Sequence, residues 1–532
     1  MKNIKIIFLV LIVALAGFLR FYKLGELSSS AYKLDRVPPS LNWDEIAAGY
    51  NAYTIANWGM DEYGNKFPIV FKSFGDDKHP VHIYLTALVV KIFGLSDFST
   101  RAGSALIGTL SILAIYFLAK KLFKNDMVGI LSALFLSVSP YHLQFSRGLW
   151  ETNFALAFFL FGLALFYRGI EKVNWMIPLS FASFGLSFFS YHSAKIVVPL
   201  VVFLLCLIHF KSFVKDKKLL IISILVTLFF GFLVIKEPRI LGFARIDQTR
   251  ISQDAAKKYG GQLAAYIHNY KDYFSYSYLF KNGDQGPRAS VKTVGEFYKI
   301  DLILATIGLI VILLTKKWKA FLILTIWLIL SPIPGALSAT EPSAIRGIFM
   351  IGPIILLSAC GAASIISFLN NRTIKTVGII LIGLLLGMEV RNYLGYYYTS
   401  YAQKEAIEWQ YGMKQIVEYL KGPPDYFRVY MDKIRQQPYI FFLYYFKTPL
   451  PELLKTVKYD ESESKSFNTV VSFDKYRFGN WDIIDSRPDP GVIYIITPSY
   501  YTGLRYGYQF DVKKLIKYPN GNDAFYIIES NL

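Results

Sequence analysis

Apolar and polar residues alternate here on the scale of whole segments rather than of single turns or strands. The first apolar run, Ile4 to Phe18, follows Lys2 and Lys5 and is succeeded by Arg20-Phe21-Tyr22-Lys23. No small-residue cleavage pattern follows, so the run predicts an uncleaved first span rather than a signal peptide. Comparable runs begin near Ala102, Met127, Phe154, Met176, Ile196, Leu219, Leu302, Ala320, Gly347 and Ile374. Together they predict eleven membrane spans. Several are shorter than the ~20 residues that an upright helix needs. Three long polar segments interrupt the series: Phe21 to Arg101, Lys236 to Ile300, and a tail from about Arg391.

The tail has a different pattern. Helical stretches (Lys404 to Leu420 and Gln437 to Phe446) alternate with β-like runs at Phe427 to Met431, Val492 to Ile496 and Ala524 to Ile528. That alternation predicts a small α/β domain. The expected organisation is an α-helical polytopic membrane domain over 1–392, with loops 21–101 and 236–300, followed by an extracytoplasmic α/β domain over 393–532.

One segment sets the orientation. Pro80 to Phe93 is apolar enough to suggest a span. Were it to cross, the helix from Ala102 would deliver Lys120, Lys121 and Lys124 to the outside. As an amphipathic helix on the outer surface, it leaves that cluster in the cytoplasm. Arg168, Lys172, Lys211, Lys215, Lys217, Lys218, Lys316, Lys317, Lys319, Arg372 and Lys375 then fall inside as well, with Lys2 and Lys5. The short outer loops keep only Arg147, Lys195 and Arg346. The positive-inside rule selects this second arrangement, with the amino terminus inside and the carboxyl terminus outside.

Composition agrees. Apolar residues make up 54% and charged residues 18%, against about 25% charge in soluble domains. A disordered chain, a disulfide scaffold and a single soluble enzyme are excluded. Aromatic residues at 17% suit membrane-interface anchoring. The net charge of +19 is distributed as topology and lipid contact demand, so no nucleic-acid partner is implied. Cys206 and Cys360 lie in apolar runs and read as small buried hydrophobes.

In this topology the reactive residues gather on the outer face. The first loop holds Asn42-Trp43-Asp44-Glu45, Asp61-Glu62-Tyr63-Gly64 and Gly75-Asp76-Asp77-Lys78-His79-Pro80. Later loops hold Ser146-Arg147 to Glu151, then Tyr191-His192-Ser193-Ala194-Lys195, then Glu341 to Arg346. Each also has a structural reading. Asp44 and Glu45 could only open a helix, Arg147 could meet headgroups, and Arg346 could anchor the next span. Taken together they suggest group transfer with a lipid-phosphate leaving group. A carboxylate would deprotonate an acceptor hydroxyl, and Lys or Arg would neutralise the departing phosphate.

The order of these motifs resembles the GT-C membrane glycosyltransferases of the family 39 group. That group includes protein O-mannosyltransferases, lipid A aminoarabinose transferases and the RgtA/B/C/D-like class. The resemblance covers roughly Phe18 to Asn392. It rests on Trp43-Asp44-Glu45, Lys78-His79-Pro80-Val81, Phe93-Gly94-Leu95 and Arg101 to Gly108, then on the loops around Arg147, His192 and Arg346. It implies a polyprenyl-phosphate sugar donor, inverting transfer to a cell-envelope acceptor (glycan, lipid or protein), and an extracytoplasmic active site in the cytoplasmic membrane. Asp44 is then the candidate base and Glu45 its neighbour in the catalytic pair. Lys78, Arg346 and Arg101 are candidate donor-phosphate ligands, Arg101 also as organiser of the first loop. His79, Arg147, Glu151, Tyr191 and His192 are candidate substrate-binding residues. The family often reads Lys-Pro-Pro where this chain has Lys78-His79-Pro80, so the match itself gives His79 no role. No Asp-x-Asp occurs in the first loop, which implies no obligatory metal cofactor, although Asp76-Asp77 leaves a divalent ion open. The alternative is a transporter or flippase of lipid-linked saccharides, for which repeats and midplane charges would be expected. A receptor built around the tail is the third reading.

Overall fold

The computed structural model describes residues 2–25, 36–74, 76–242, 250–338, 341–422, 426–433, 437–460, 469–479 and 488–531. Gly75 of the first-loop motif lies outside them, as do parts of the 21–101 and 236–300 loops. The chain divides into two compact units. One comprises 1–22, 79–82 and 104–396; the other comprises 23–78, 83–103 and 397–532.

The first unit is helical. Each of the ten later predicted spans coincides with a helix that starts at or a few residues before the apolar run. Three of these helices are preceded by a capping side chain: Asn125 Oδ1 accepts from Met127 N at 2.8 Å, Asp216 Oδ1 from Lys218 N at 2.9 Å, and Asn371 Oδ1 from Thr373 N at 2.8 Å. Such caps satisfy backbone donors that a helix start leaves open.

Among the described residues, seven helices are long and apolar enough to cross a membrane, and an eighth span results if Asp126–Val138 and Pro140–Ser146 are joined across their 59° bend. Met176–Phe188, Ala194–Ile208 and Lys299–Leu314 have 13, 15 and 16 residues. At ~1.5 Å per residue they reach about 20–24 Å, short of the ~30 Å hydrocarbon core.

Packing ranks these helices. Ile351–Phe368 is almost wholly buried and lies directly on Lys299–Leu314. A Cβ on Gly308 would fall 2.0 Å from Leu357 O, and one on Gly361 would fall 2.0 Å from Leu304 O. Paired glycines let two apolar helices touch backbone to backbone. By contrast, Lys217–Lys236 exposes Ile221, Leu225, Leu228, Phe229, Phe232 and Ile235, a face suited to lipid rather than water.

Among the described residues, the second unit is built on a seven-stranded mixed sheet. In chain order, β1 (Phe71–Ser73) and β2 (Asp76–Lys78) form a separate hairpin. The large sheet contains β3 (Arg428–Asp432), β4 (Lys458–Tyr459), β5 (Val470–Phe473), β6 (Tyr476–Gly479), β7 (Val492–Ile496), β8 (Phe510–Lys517) and β9 (Asp523–Ser530), in the order β4-β5-β6-β3-β7-β9-β8. Among the described residues, β3 pairs in parallel with β6 and with β7, and the other pairs of this sheet are antiparallel. Strand β7 is buried throughout, which is why it reads as a continuous apolar run.

The predicted helix over Lys404 to Leu420 is shorter, Met413–Leu420. Gln410 and Gly412 adopt φ of 50° and 107°, outside helical backbone, and turns replace the first half. The Pro438–Phe446 helix is buried from Pro438 to Tyr445 and packs on Trp43–Trp58. Tyr444 OH lies 2.6 Å from Thr100 Oγ1, and Tyr50 OH donates to Thr448 O at 2.9 Å. The first loop and the tail thus share one core.

Pro80–Phe93 is a 14-residue helix. Val81, Ile83, Ala87 and Val90 are buried, while Leu88, Ile92 and Phe93 are exposed.

Candidate active site

In the second unit, the helix Trp43–Trp58 begins with a capping box. Asn42 Oδ1 accepts from Asp44 N at 2.9 Å and Glu45 N at 3.2 Å, and Glu45 Oε2 accepts from Asn42 N at 3.1 Å. Glu45 also receives the Arg101 fork, Nε to Oε1 at 2.7 Å and Nη2 to Oε2 at 2.8 Å. Arg101 further donates to Pro38 O at 3.0 Å and Ser40 O at 2.6 Å, and its guanidinium lies 5.4 Å from the Trp409 ring centre. Both side chains are almost fully buried, at 0% and 1% exposure. Glu45 and Arg101 therefore lock the loop's path.

Asp44 faces the other way. Its side chain is 31% exposed, and its Oδ1 lies 3.1 Å from Lys78 Nζ, itself 18% exposed. Lys78 comes from β2 and also lies 3.8 Å from Asp76 Oδ2. The hairpin aligns it through the Phe71↔Lys78 register. A carboxylate and an ammonium reachable from solvent thus sit side by side, one at a helix start and one at a strand end.

Several supporting residues were not visible in the sequence. Asp97 is buried between Arg36 and Lys414, whose Nζ lies 3.2 Å away. Trp43 N donates to Gln410 Oε1 at 2.7 Å. Lys414, Gln410 and Trp409 all come from the tail, more than 300 positions from their partners, beyond what any local pattern records. The Asp61-Glu62-Tyr63-Gly64 motif forms a turn in which Asp61 Oδ1 accepts from Tyr63 N and Asn65 N at 3.0 and 2.8 Å. Glu62 is buried against it. Burial, then the neighbouring Asp61 charge, pushes its carboxyl up to about 8, countered by the hydroxyls of Tyr63 and Tyr439.

The first unit holds the remaining candidates. His79 Nδ1 and His82 Nε2 each lie 3.9 Å from a different oxygen of Glu151. The His79 and His192 rings meet edge to face at 4.4 Å, Tyr191 lies 5.8 Å from His192, and Lys195 Nζ is 3.0 Å from His192 Nδ1. The His79/His82 spacing across a helix start was the available signal for His82.

Arg147 is buried and donates to the carbonyls of Leu19, Arg20 (3.1 Å) and Tyr22 (2.8 Å). It closes the end of Lys2–Phe21, where unpaired carbonyls favour a cation.

Arg346 sits on a firmly held backbone. Asp284 Oδ2 accepts from Ala344 N at 2.6 Å, Tyr141 OH donates to Ala344 O at 2.5 Å, Thr152 Oγ1 to Ile345 O at 3.0 Å, and Ser193 Oγ to Arg346 O at 2.9 Å. Its guanidinium donates to Ser338 O at 3.1 Å. Burial raises the Asp284 carboxyl above its ordinary range, and bonds from Ala344 and Gly286 oppose the rise.

Residues 77–235 match the family described as dolichyl-phosphate-mannose-protein mannosyltransferase. No curated protein sequence matches the chain. Among solved structures, ArnT from Cupriavidus metallidurans in the apo state is similar at a TM-score of 0.53 and 13% identity, covering 98% of this chain and 97% of that one. The same enzyme bound to undecaprenyl phosphate aligns at 0.58 and 13%, covering 98% of each chain. An Archaeoglobus fulgidus oligosaccharyltransferase tethered to an acceptor peptide aligns at 0.53 and 13%, over 99% of this chain and 74% of that one. Whole-chain fold likeness agrees with the motif order: the chain is a multi-pass membrane protein with the fold of ArnT, and its residues 77–235 are similar to the family described as dolichyl-phosphate-mannose-protein mannosyltransferase.

Proposed function

We propose that the protein transfers a sugar from a polyprenyl-phosphate donor to a cell-envelope acceptor, with inversion, at the outer face of the cytoplasmic membrane. The single observation that carries this reading is the Asp44–Lys78 pair, 3.1 Å apart and open to solvent beside a buried, fully engaged Glu45–Arg101 pair. The undecaprenyl phosphate bound by the similar ArnT supports a lipid-phosphate donor here.

The chemistry follows from charge. Asp44 takes the proton of an acceptor hydroxyl, whose oxygen attacks the sugar's anomeric carbon from the face opposite the phosphate. The carbon–oxygen bond to phosphate breaks, its electron pair leaves on the phosphate, and Lys78 neutralises that charge. Before substrate arrives, the two side chains hold each other. An incoming phosphate competes for the ammonium and releases the carboxylate, so the base is freed only when a donor is present. Glu45 and Arg101 act as positioning residues. Arg346 is a separate proposed phosphate ligand, resting on the motif resemblance and on its pinned backbone.

The test is incubation of purified protein with labelled polyprenyl-phosphate sugars and cell-envelope extract. Label appearing in an envelope component supports transfer. Label that stays on the polyprenyl lipid, with every sugar tried, counts against it.

A further inference from the structure

The tail carries a cleft, separate from the Asp44–Lys78 pair and formed wholly within the second unit. It has a volume of about 500 Å³ and is lined by Gln403, Thr497, Ser499, Asn520, Asn522 and Asp523, among others. That lies within the ~300–1,000 Å³ typical of small-ligand sites. Thr497 and Ser499 follow the carboxyl end of β7, and Asn520 and Asn522 belong to the β8–β9 turn. Ligands of α/β sheets gather outside strand carboxyl ends.

The lining is ordered by its own bonds. Thr497 Oγ1 and Ser499 Oγ are 3.1 Å apart. Asn520 Oδ1 accepts from Asn522 N at 3.1 Å, which orients its amide. Asp523 is braced by the Tyr526 hydroxyl at 2.6 Å and by Lys517 at 3.8 Å. Tyr526 stacks flat on Tyr501 at 4.1 Å and 6°. The turn depends on Gly521, whose φ of 90° favours glycine.

The chemistry of the rim is specific. Gln403, Ser499, Asn520 and Asn522 are exposed, whereas Thr497 and Tyr518 are buried beneath them. Amides and hydroxyls that both donate and accept match paired hydroxyls on a ligand. Tyr518 and Pro498 offer apolar surface for a C–H face. Lys404 and Asp523 bring opposite charges, so the cleft selects neither a polyanion nor a polycation. We infer that this cleft binds a neutral saccharide, holding the glycan part of an acceptor on the tail while transfer occurs elsewhere. The acceptor assignment rests on the proposed transferase function; the saccharide chemistry does not.

The experiment uses full-length protein in nanodiscs. Saturation-transfer NMR is recorded with methyl α-mannoside, mannobiose and neutral oligosaccharides released from the cell envelope, with inorganic phosphate and dextran sulfate as competitors. Ser499→Trp fills the cleft, and Asn520→Ala removes one amide; circular dichroism monitors folding of both. Losing one such hydrogen-bonding group should weaken binding about tenfold. Wild-type signals from a neutral sugar that both variants lose, and that Asp44→Asn keeps, are the expected result. The acceptor KM should rise about tenfold in Asn520→Ala at constant kcat. Saccharide signals without any transfer by the wild type would count against the transferase reading and sustain the cleft. No signal from any neutral sugar, signals unchanged in both folded variants, or displacement by dextran sulfate would overturn the inference.

Discussion

Lys78 Nζ lies 3.1 Å from Asp44 Oδ1, while the adjacent Glu45 is turned inward onto Arg101. Two consecutive carboxylates thus occupy opposite environments, Glu45 buried and Asp44 reachable from solvent. An acceptor hydroxyl is a poor nucleophile at neutral pH, so removing the base from Asp44 should cost about 10²–10⁴-fold in kcat. Asp44→Asn should leave donor binding and membrane insertion intact. A steady-state assay with labelled donor checks this; near-normal turnover would remove Asp44 from the mechanism.

Glu45 and Arg101 should register in stability before they register in chemistry. Removing one partner of a buried pair leaves the other charge uncompensated, typically at about 3–5 kcal/mol. Glu45→Gln and Arg101→Ala are both expected to lower the melting temperature, and Asp44→Asn is not. Scanning fluorimetry in detergent reads the difference. Unchanged melting in Glu45→Gln would mean the pair is not structural.

Lys78 and Arg346 can be tested separately as phosphate ligands. Loss of one group that stabilises developing charge costs about 10²–10³-fold in kcat, so Lys78→Ala should fall by that factor and bind donor more weakly. Arg346→Ala should do the same if its guanidinium meets phosphate. Normal donor affinity in Arg346→Ala would instead assign it to headgroup anchoring.

Orientation is open to direct chemistry. Single cysteines placed beside Asp44 and Arg346 should react with an impermeant thiol reagent in intact cells. A reporter fused after Ser96 should read as extracytoplasmic. Labelling only after lysis would invert the topology and move the site to the other face.

Glu62 predicts a pH dependence. Its folded carboxyl titrates near 8 against an ordinary value of 4.5, through burial and then the Asp61 charge. The folded state keeps a proton that the unfolded chain loses, so stability is fully present below about 4.5 and declines as pH rises towards 8. The slope is roughly 1 kcal/mol per pH unit within that window. Glu62→Gln should flatten it: melting temperatures of variant and wild type, compared at pH 5 and pH 8.5, should diverge only at the higher pH. Parallel curves would show that Glu62 ionises freely in the fold.

Much of this architecture is legible in the chain because the bilayer imposes a one-dimensional code. A span needs an unbroken apolar run, so helix positions from Asp97 to Tyr396 follow from residue order, and caps such as Asn125 and Asp216 shift only their starts. Strand β7 was equally plain, because a strand buried on both faces is apolar throughout. The short strands β4, β5 and β6 carry too few residues for a period to show.

The residue types of the site were also in the sequence, but their roles were not. Nothing local distinguishes Asp44 from Glu45. The distinction arises when Arg101, 56 positions on, reaches back to Glu45 and leaves Asp44 to Lys78. Arg147, a candidate binding residue by motif, donates to carbonyls at the end of the first helix, contacts that no local pattern records. Nor does the sequence show that Lys414 and Gln410 of the tail bond Asp97 and Trp43 of the first loop. The sequence by itself determined the helices and the menu of reactive groups, because hydrophobicity and residue type are local properties. Burial and ion pairing are made between distant segments, so only the tertiary structure decided which carboxylate is locked inside and which faces the solvent.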